Sequence, residues 1–160
     1  MSGLKILLIG CGKMGRAMLR GWNSAGLISS CDIISPSLKQ PPTEYPEAHI
    51  LDAPPQETSY DVIVFAVKPQ VIKDILPQYQ SALNKCRFGI SILAGTPLSL
   101  FGETAMVRVM PNTPVAIGKG ICALYANSLI DQDDKEIAEK LFRALGDIIW
   151  LEDEDSINDV

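Results

Sequence analysis

The chain has little of what several large function classes require. Its four cysteines, Cys11, Cys31, Cys86 and Cys122, form no C-x-x-C pair and no zinc-finger spacing, which argues against a zinc site or a dithiol redox motif. His49 is the only histidine; it precedes a short apolar segment and is expected to be structural or solvated. No His or Asp pattern marks Cys11 as a nucleophile, and Cys11 is expected to be partly exposed within its turn. Basic residues are outnumbered, with 14 Lys and Arg against 19 Asp and Glu and a formal net charge of −5, whereas a nucleic-acid-binding surface needs a basic stripe. No run of 18 apolar residues occurs, so no membrane-spanning helix is expected. The apolar run before Gly10 is too short for a secretory leader, and a cytoplasmic location is expected. No metal site is expected: the acidic run Glu152-Asp153-Glu154-Asp155 has no accompanying ligand cluster and reads as a solvated loop or helix start.

What is present is a globular composition, 47% hydrophobic and 21% charged over 160 residues, enough for one domain with a real core. The most informative segment is Gly10-Cys11-Gly12-Lys13-Met14-Gly15, which follows the apolar run Lys5 to Ile9 and precedes a helix-like stretch. A G-x-G-x-x-G pattern means little alone, but between a buried strand and a helix it points to dinucleotide binding. In that reading Gly10 permits the turn, Gly12 lets backbone approach a pyrophosphate, and Gly15 allows close helix–strand packing. The helix N-terminus then presents free N–H groups and a positive dipole end to the phosphates.

Strand-like and helix-like runs alternate along the rest of the chain, the signature of a parallel sheet with crossover helices. Strands are predicted at Lys5 to Ile9, Asp32 to Ser35, Ala48 to Leu51, Val62 to Ala66, Phe88 to Ile92 and Met106 to Met110, with further ones at Ile121 to Tyr125 and Ile148 to Leu151. Helices are predicted at Lys13 to Ala25, stopped by Gly26; at Pro69 to Leu83; and after Asp131, ended by Gly146. Pro41-Pro42 and Pro54-Pro55 make the second crossover short or irregular. The expected class is α/β: a Rossmann-type, doubly wound, mostly parallel sheet with helices on both faces.

Nucleotide preference turns on one loop. An NAD site places a carboxylate at the end of the second strand to hold the ribose 2′-OH. Here that end reads Ile33-Ile34-Ser35-Pro36-Ser37-Leu38-Lys39, and Asp32 falls at the strand's beginning, the wrong edge of the sheet. Ser35 and Ser37 can donate hydrogen bonds to a 2′-phosphate and Lys39 can supply charge. A plain Ser-Pro turn is the alternative. The pattern favours NADP, with NAD possible.

Three further segments each follow a predicted strand: Val64-Phe65-Ala66-Val67-Lys68-Pro69-Gln70, Ser91-Ile92-Leu93-Ala94-Gly95, and Val107-Arg108-Val109-Met110-Pro111-Asn112-Thr113-Pro114. Together with Ile9 to Gly15 they closely resemble the amino-terminal domain of the pyrroline-5-carboxylate reductase family, and the resemblance covers essentially the whole chain. It implies reduction of the cyclic imine 1-pyrroline-5-carboxylate to L-proline by NADPH, a step of proline biosynthesis; a related imine or β-hydroxyacid reductase domain, or a non-catalytic NADP-binding module, are the alternatives. It implies that Ile9, Gly10, Cys11, Gly12, Lys13 and Met14 contact the pyrophosphate, and that Ser35 and Ser37 meet the adenosine ribose or its phosphate. Ala66, Val67, Lys68, Pro69, Ile92, Leu93 and Ala94 would line the ribose and nicotinamide, with Asn112 and Thr113 near the nicotinamide end. On residue type alone, Lys68 is equally a solvated strand-end lysine, Pro69 a helix-start residue, and Asn112 and Thr113 turn or cap residues. No catalytic residue is singled out. The family pattern continues into a helical dimerisation domain carrying a substrate-carboxylate loop. Residues 1–151 are therefore expected to be the nucleotide-binding domain and 152–160 the start of a connection to that part, which lies outside this sequence. The full-length protein is expected to be a homo-oligomer, and these 160 residues alone to show little turnover.

Overall fold

The computed structural model describes residues 3–111 and 120–159. Its strands are β1 (Leu4–Ile9), β2 (Ile28–Ile34), β3 (His49–Ile50), β4 (Val62–Phe65), β5 (Phe88–Ser91), β6 (Met106–Met110), β7 (Gly120–Ala126) and β8 (Gly146–Trp150). They form one sheet in the order β3-β2-β1-β4-β5-β6-β7-β8. Neighbouring strands from β3 to β6 pair parallel, β7 runs antiparallel to β6, and β8 is parallel to β7. The strand order reverses at β1, so a crevice opens beyond the carboxyl ends of β1 and β4. Open α/β sheets place ligands in that kind of crevice.

Both faces of the sheet are covered. Ile6, Leu8, Val64, Ile90 and Val109 point to one face, under α1 (Lys13–Ser24) and α4 (Gln132–Arg143). Leu7, Ile9, Ile63 and Phe65 point to the other, under α2 (Ile72–Ile75), α3 (Gln80–Lys85) and the turn around Leu98 and Phe101. Strands buried on both sides explain why the sequence shows continuous apolar runs instead of alternation. Trp22 joins the two long helices: fully buried, it donates from Nε1 to the Leu141 carbonyl at 2.8 Å and meets the Phe142 ring edge-on at 6.3 Å. Trp22→Ala should cost about 3–5 kcal/mol in chemical denaturation, the usual loss for a large buried aromatic; a loss under about 1 kcal/mol would show that the junction relaxes to fill the hole.

Several boundaries differ from the sequence reading. α1 ends at Ser24, and Gly26, at φ +68, lets Gly26 N–H reach the Asn23 carbonyl and Leu27 N–H the Trp22 carbonyl, the Schellman pattern. β2 starts at Ile28, earlier than expected, because Ser29 and Ser30 belong to the strand and not to a loop; Ser29 Oγ donates to the Leu4 carbonyl. β3 is two residues long. The helix predicted over Pro69 to Leu83 is instead a series of short turns, with α2 and α3 separated by a 3₁₀ segment, Leu76–Tyr79. Pro77 lies in that break, and a proline there removes a donor and clashes with the preceding turn. Gly146 does not end α4, which stops at Arg143; it opens β8 at φ +148. The second crossover is irregular, as its prolines suggested, with no helix between β2 and β3. Among the described residues no helix is long and apolar enough to cross a membrane.

A candidate nucleotide site at the carboxyl edge of the sheet

The three glycines of the first turn differ in what demands them. Gly10 has φ +87, and a Cβ there would lie 2.6 Å from the Ala66 carbonyl oxygen. The turn is wedged between strand ends: Gly10 N–H donates to Ile34 O and Ala66 N–H to Ile9 O. The fold itself therefore requires Gly10. At Gly15 a Cβ would stand 3.4 Å from Gly10 O and 3.6 Å from Leu8, already in contact, so a longer side chain would enter the helix–strand seam. Gly12 is different. Its φ is an ordinary −88, and among the described residues a Cβ would meet no heavy atom within 4 Å. No contact or backbone angle among the described residues calls for glycine at position 12.

Gly12 is also the N-cap of α1 and supplies no side-chain acceptor, and the first turn holds no acid. The N–H groups of Lys13, Met14 and Gly15 fall in the first turn, where no intrahelical partner exists. With the helix dipole they make an anion-binding end. Lys13 is exposed and Met14 half-buried against the core. Ile9 and Cys11 are buried, so only their main chains can face a ligand. The expected partial exposure of Cys11 is not found: the residue is 8% exposed. Burial raises its thiol pKa, against a smaller opposing effect of the Arg16 charge, which keeps it a protonated thiol and not a nucleophile.

Beyond β2 lies a cavity of about 260 Å³ lined by Ile34, Ser35, Pro36, Leu38, Lys39, Ile50, Leu51 and Asp52. Ser35 is buried and Lys39 exposed, its ammonium 3.5 Å from the Pro36 carbonyl. Ser37 is exposed and does not line the cavity. The sequence reading looked for an acid only at the end of β2 and missed Asp52, which comes from the end of neighbouring β3. Asp32 is not at the beginning of β2 but well inside it, where it accepts the Tyr60 hydroxyl at 2.6 Å; burial and that bond push the Tyr60 pKa up. His49 is largely solvated, 3.4 Å from Asp32. Glu44, in the crossover after β2, reaches back to Arg16 and Arg20 on α1 and holds the crossover against the helix.

On the far side of the crevice, Ala66 and Val67 leave β4 half-buried. Lys68 is exposed and extended, and Pro69 begins a 3₁₀ turn. After β5, Ile92 is half-buried and Ala94 exposed. Leu93 is buried with Ile63 and Phe65 on the face covered by α2 and α3 and can offer a ligand only its main chain. A larger cavity, about 490 Å³, adjoins this end, between Pro69, Gln70 and Lys73 and the loop Ala94 to Leu100. Asn112 and Thr113 lie outside the described residues. The acidic run at the end is not simply solvated: Glu154 Oε2 accepts from Arg108 Nη1 at 3.1 Å and from Leu98 N–H at 2.7 Å, and Arg108 is buried. Residues 66–69 and 92–94, the first turn and Ser35 thus all gather at one edge of the sheet, on either side of the strand-order reversal.

A family model described as NADP oxidoreductase, coenzyme F420-dependent, matches residues 5–95. The chain belongs to this NADP oxidoreductase family. It is 34% identical to a pyrroline-5-carboxylate reductase of Vibrio alginolyticus over 98% of its own length and 61% of the relative's. It is 32% identical to one from Escherichia coli, over 89% and 57%. Among solved structures, a pyrroline-5-carboxylate reductase from Coxiella burnetii superposes with TM-score 0.82 at 29% identity, covering 95% of this chain and 60% of that one. A Plasmodium falciparum pyrroline carboxylate reductase with NADP bound superposes equally well, TM-score 0.82 at 26% identity, over 97% and 60%. The chain thus spans about three-fifths of the length of these members of the wider group.

Proposed function

We propose that this chain is the nucleotide-binding part of an NADPH-dependent pyrroline-5-carboxylate reductase, acting in proline biosynthesis. Gly12 carries the nucleotide half of the reading: it caps the open N-terminus of α1, and no contact among the described residues calls for a glycine there. The imine half is supported by similarity to pyrroline-5-carboxylate reductases along nearly the whole chain. In this reading residues 1–151 form the nucleotide-binding unit, 152–160 begin a connection, and the complete enzyme is a cytoplasmic homo-oligomer.

The reduced nicotinamide supplies a hydride to the imine carbon, and the protein contributes position and shielding. The main-chain N–H groups of Lys13 and Met14 would hold the pyrophosphate at the α1 terminus, with Ile9, Gly10, Cys11 and Gly12 shaping the approach. Ser35, with Ser37 and Lys39, would take the adenosine end. Ala66 to Pro69 and Ile92 to Ala94 would line the nicotinamide ribose, and Asn112 and Thr113 would stand near the reacting end. A protonated imine is already electrophilic, so these residues orient the reactants and need not donate a proton.

The preference for NADPH can be checked by calorimetry. Native protein should bind NADPH more tightly than NADH. Ser35→Asp should shift the ratio toward NADH by roughly ten-fold or more, because charge-assisted hydrogen bonds are worth about 1.5–3 kcal/mol. Tighter binding of NADH by the native protein would overturn the NADPH assignment. The imine assignment is tested in the longer protein by oxidation of NADPH with pyrroline-5-carboxylate, against reduction of NADP with a β-hydroxyacid; turnover with the hydroxyacid alone would replace it.

A further inference from the structure

The cavity beyond β2 and β3 carries both signs of charge. Its lining holds one cation, Lys39, and one carboxylate, Asp52. The pairing of β2 with β3 brings Asp52 to the cavity. Ile33 pairs with Ile50, and Leu51 N–H donates to the Ile33 carbonyl at 2.8 Å. Asp52 follows Leu51 at the bend that leaves β3 and lines the same cavity as Ser35. A carboxylate from the chain leaving the neighbouring strand therefore shares the cavity at the end of β2. Among the described residues, Arg16 and Arg20 pair with Glu44, and Lys39 is the cation in the cavity lining.

We propose that Asp52 is a specificity-determining residue that limits the preference for the 2′-phosphorylated nucleotide. A phosphate monoester carries about −1.5 to −2 at neutral pH. Lys39 attracts it and Asp52 repels it, so the cavity offers little net electrostatic gain. With an unphosphorylated ribose, the same carboxylate accepts hydrogen bonds from the hydroxyls. The chain consequently takes both nucleotides, with NADPH ahead by a narrow margin. This rests on the nucleotide reading above.

Asp52→Asn tests it, since it removes the charge and keeps the shape of an exposed side chain. Affinities of the full 160-residue chain for NADPH and NADH are measured by calorimetry for native and variant protein. Removing a repulsion between partly screened charges should tighten NADPH about five-fold or more, and NADH should weaken or stay level, so the ratio widens. The gain should shrink when the pH is lowered from 8 to 5.5, as the phosphate, whose second pKa is about 6, loses its second charge. If both nucleotides bind and the ratio does not move, the role of Asp52 is wrong while the nucleotide reading stands. If the native chain binds neither, the nucleotide reading itself fails. Asp52→Ser, read in the same way, carries the test if the asparagine variant does not fold.

Discussion

Gly12→Val should abolish nucleotide binding and leave the fold nearly untouched. Among the described residues no atom lies within 4 Å of a Cβ at this position, so the new side chain meets no clash with them. Replacing a glycine N-cap by valine costs no more than about 1 kcal/mol of helix stability. The isopropyl group would, however, hold a pyrophosphate away from the first-turn N–H groups, and several charge-assisted bonds would be lost together. Each is worth about 1.5–3 kcal/mol, so a loss of a hundred-fold or more in affinity is expected. Calorimetry with NADPH, paired with a thermal unfolding curve, reads both quantities. Unchanged affinity would remove the first turn from the site.

Binding and turnover should separate in residues 1–160 prepared as a separate polypeptide. Hydride transfer needs donor and acceptor about 3–3.5 Å apart, held and shielded from water. The groups expected around the nicotinamide include Lys68, Pro69 and Ala94, all exposed in the structure. NADPH affinity should persist, while pyrroline-5-carboxylate-dependent oxidation of NADPH should stay below about 0.1 per second, against a typical enzyme value near 10 per second. Both are read on one sample, by calorimetry and by loss of nicotinamide absorbance. Turnover near the typical value would show that these residues position both reactants unaided.

The parts of the molecule that local chemistry dictates were legible in the sequence. Strands β1, β4, β5 and β6 are short apolar runs buried on both faces, and the glycine turn between β1 and α1 announces itself by its context. Polar residues hid the rest. Ser29 and Ser30 look like loop but extend β2, because a strand near the sheet edge tolerates hydroxyls. The helix expected over Pro69 to Leu83 runs across Pro77, which sits in the 3₁₀ segment that divides it. Gly146 resembles a helix stop, but its positive φ serves the entry to β8. The specificity cavity was half legible: Ser35 and Lys39 follow one strand directly, whereas Asp52 joins them only through the pairing of β2 with β3. A contact between strands depends on register, which no single segment of sequence contains.

The shared carboxylate oxygen of Glu154 has a mechanical meaning. It grips the buried Arg108 in mid-β6 and the backbone of the turn at Leu98, while Ile157 just beyond is fully enclosed. Residues 154–157 are thereby tied to the strand that runs toward Met110. A load applied past residue 157 would pass into β6 as a push or twist of the whole strand, much as a lever acts through a fixed pin.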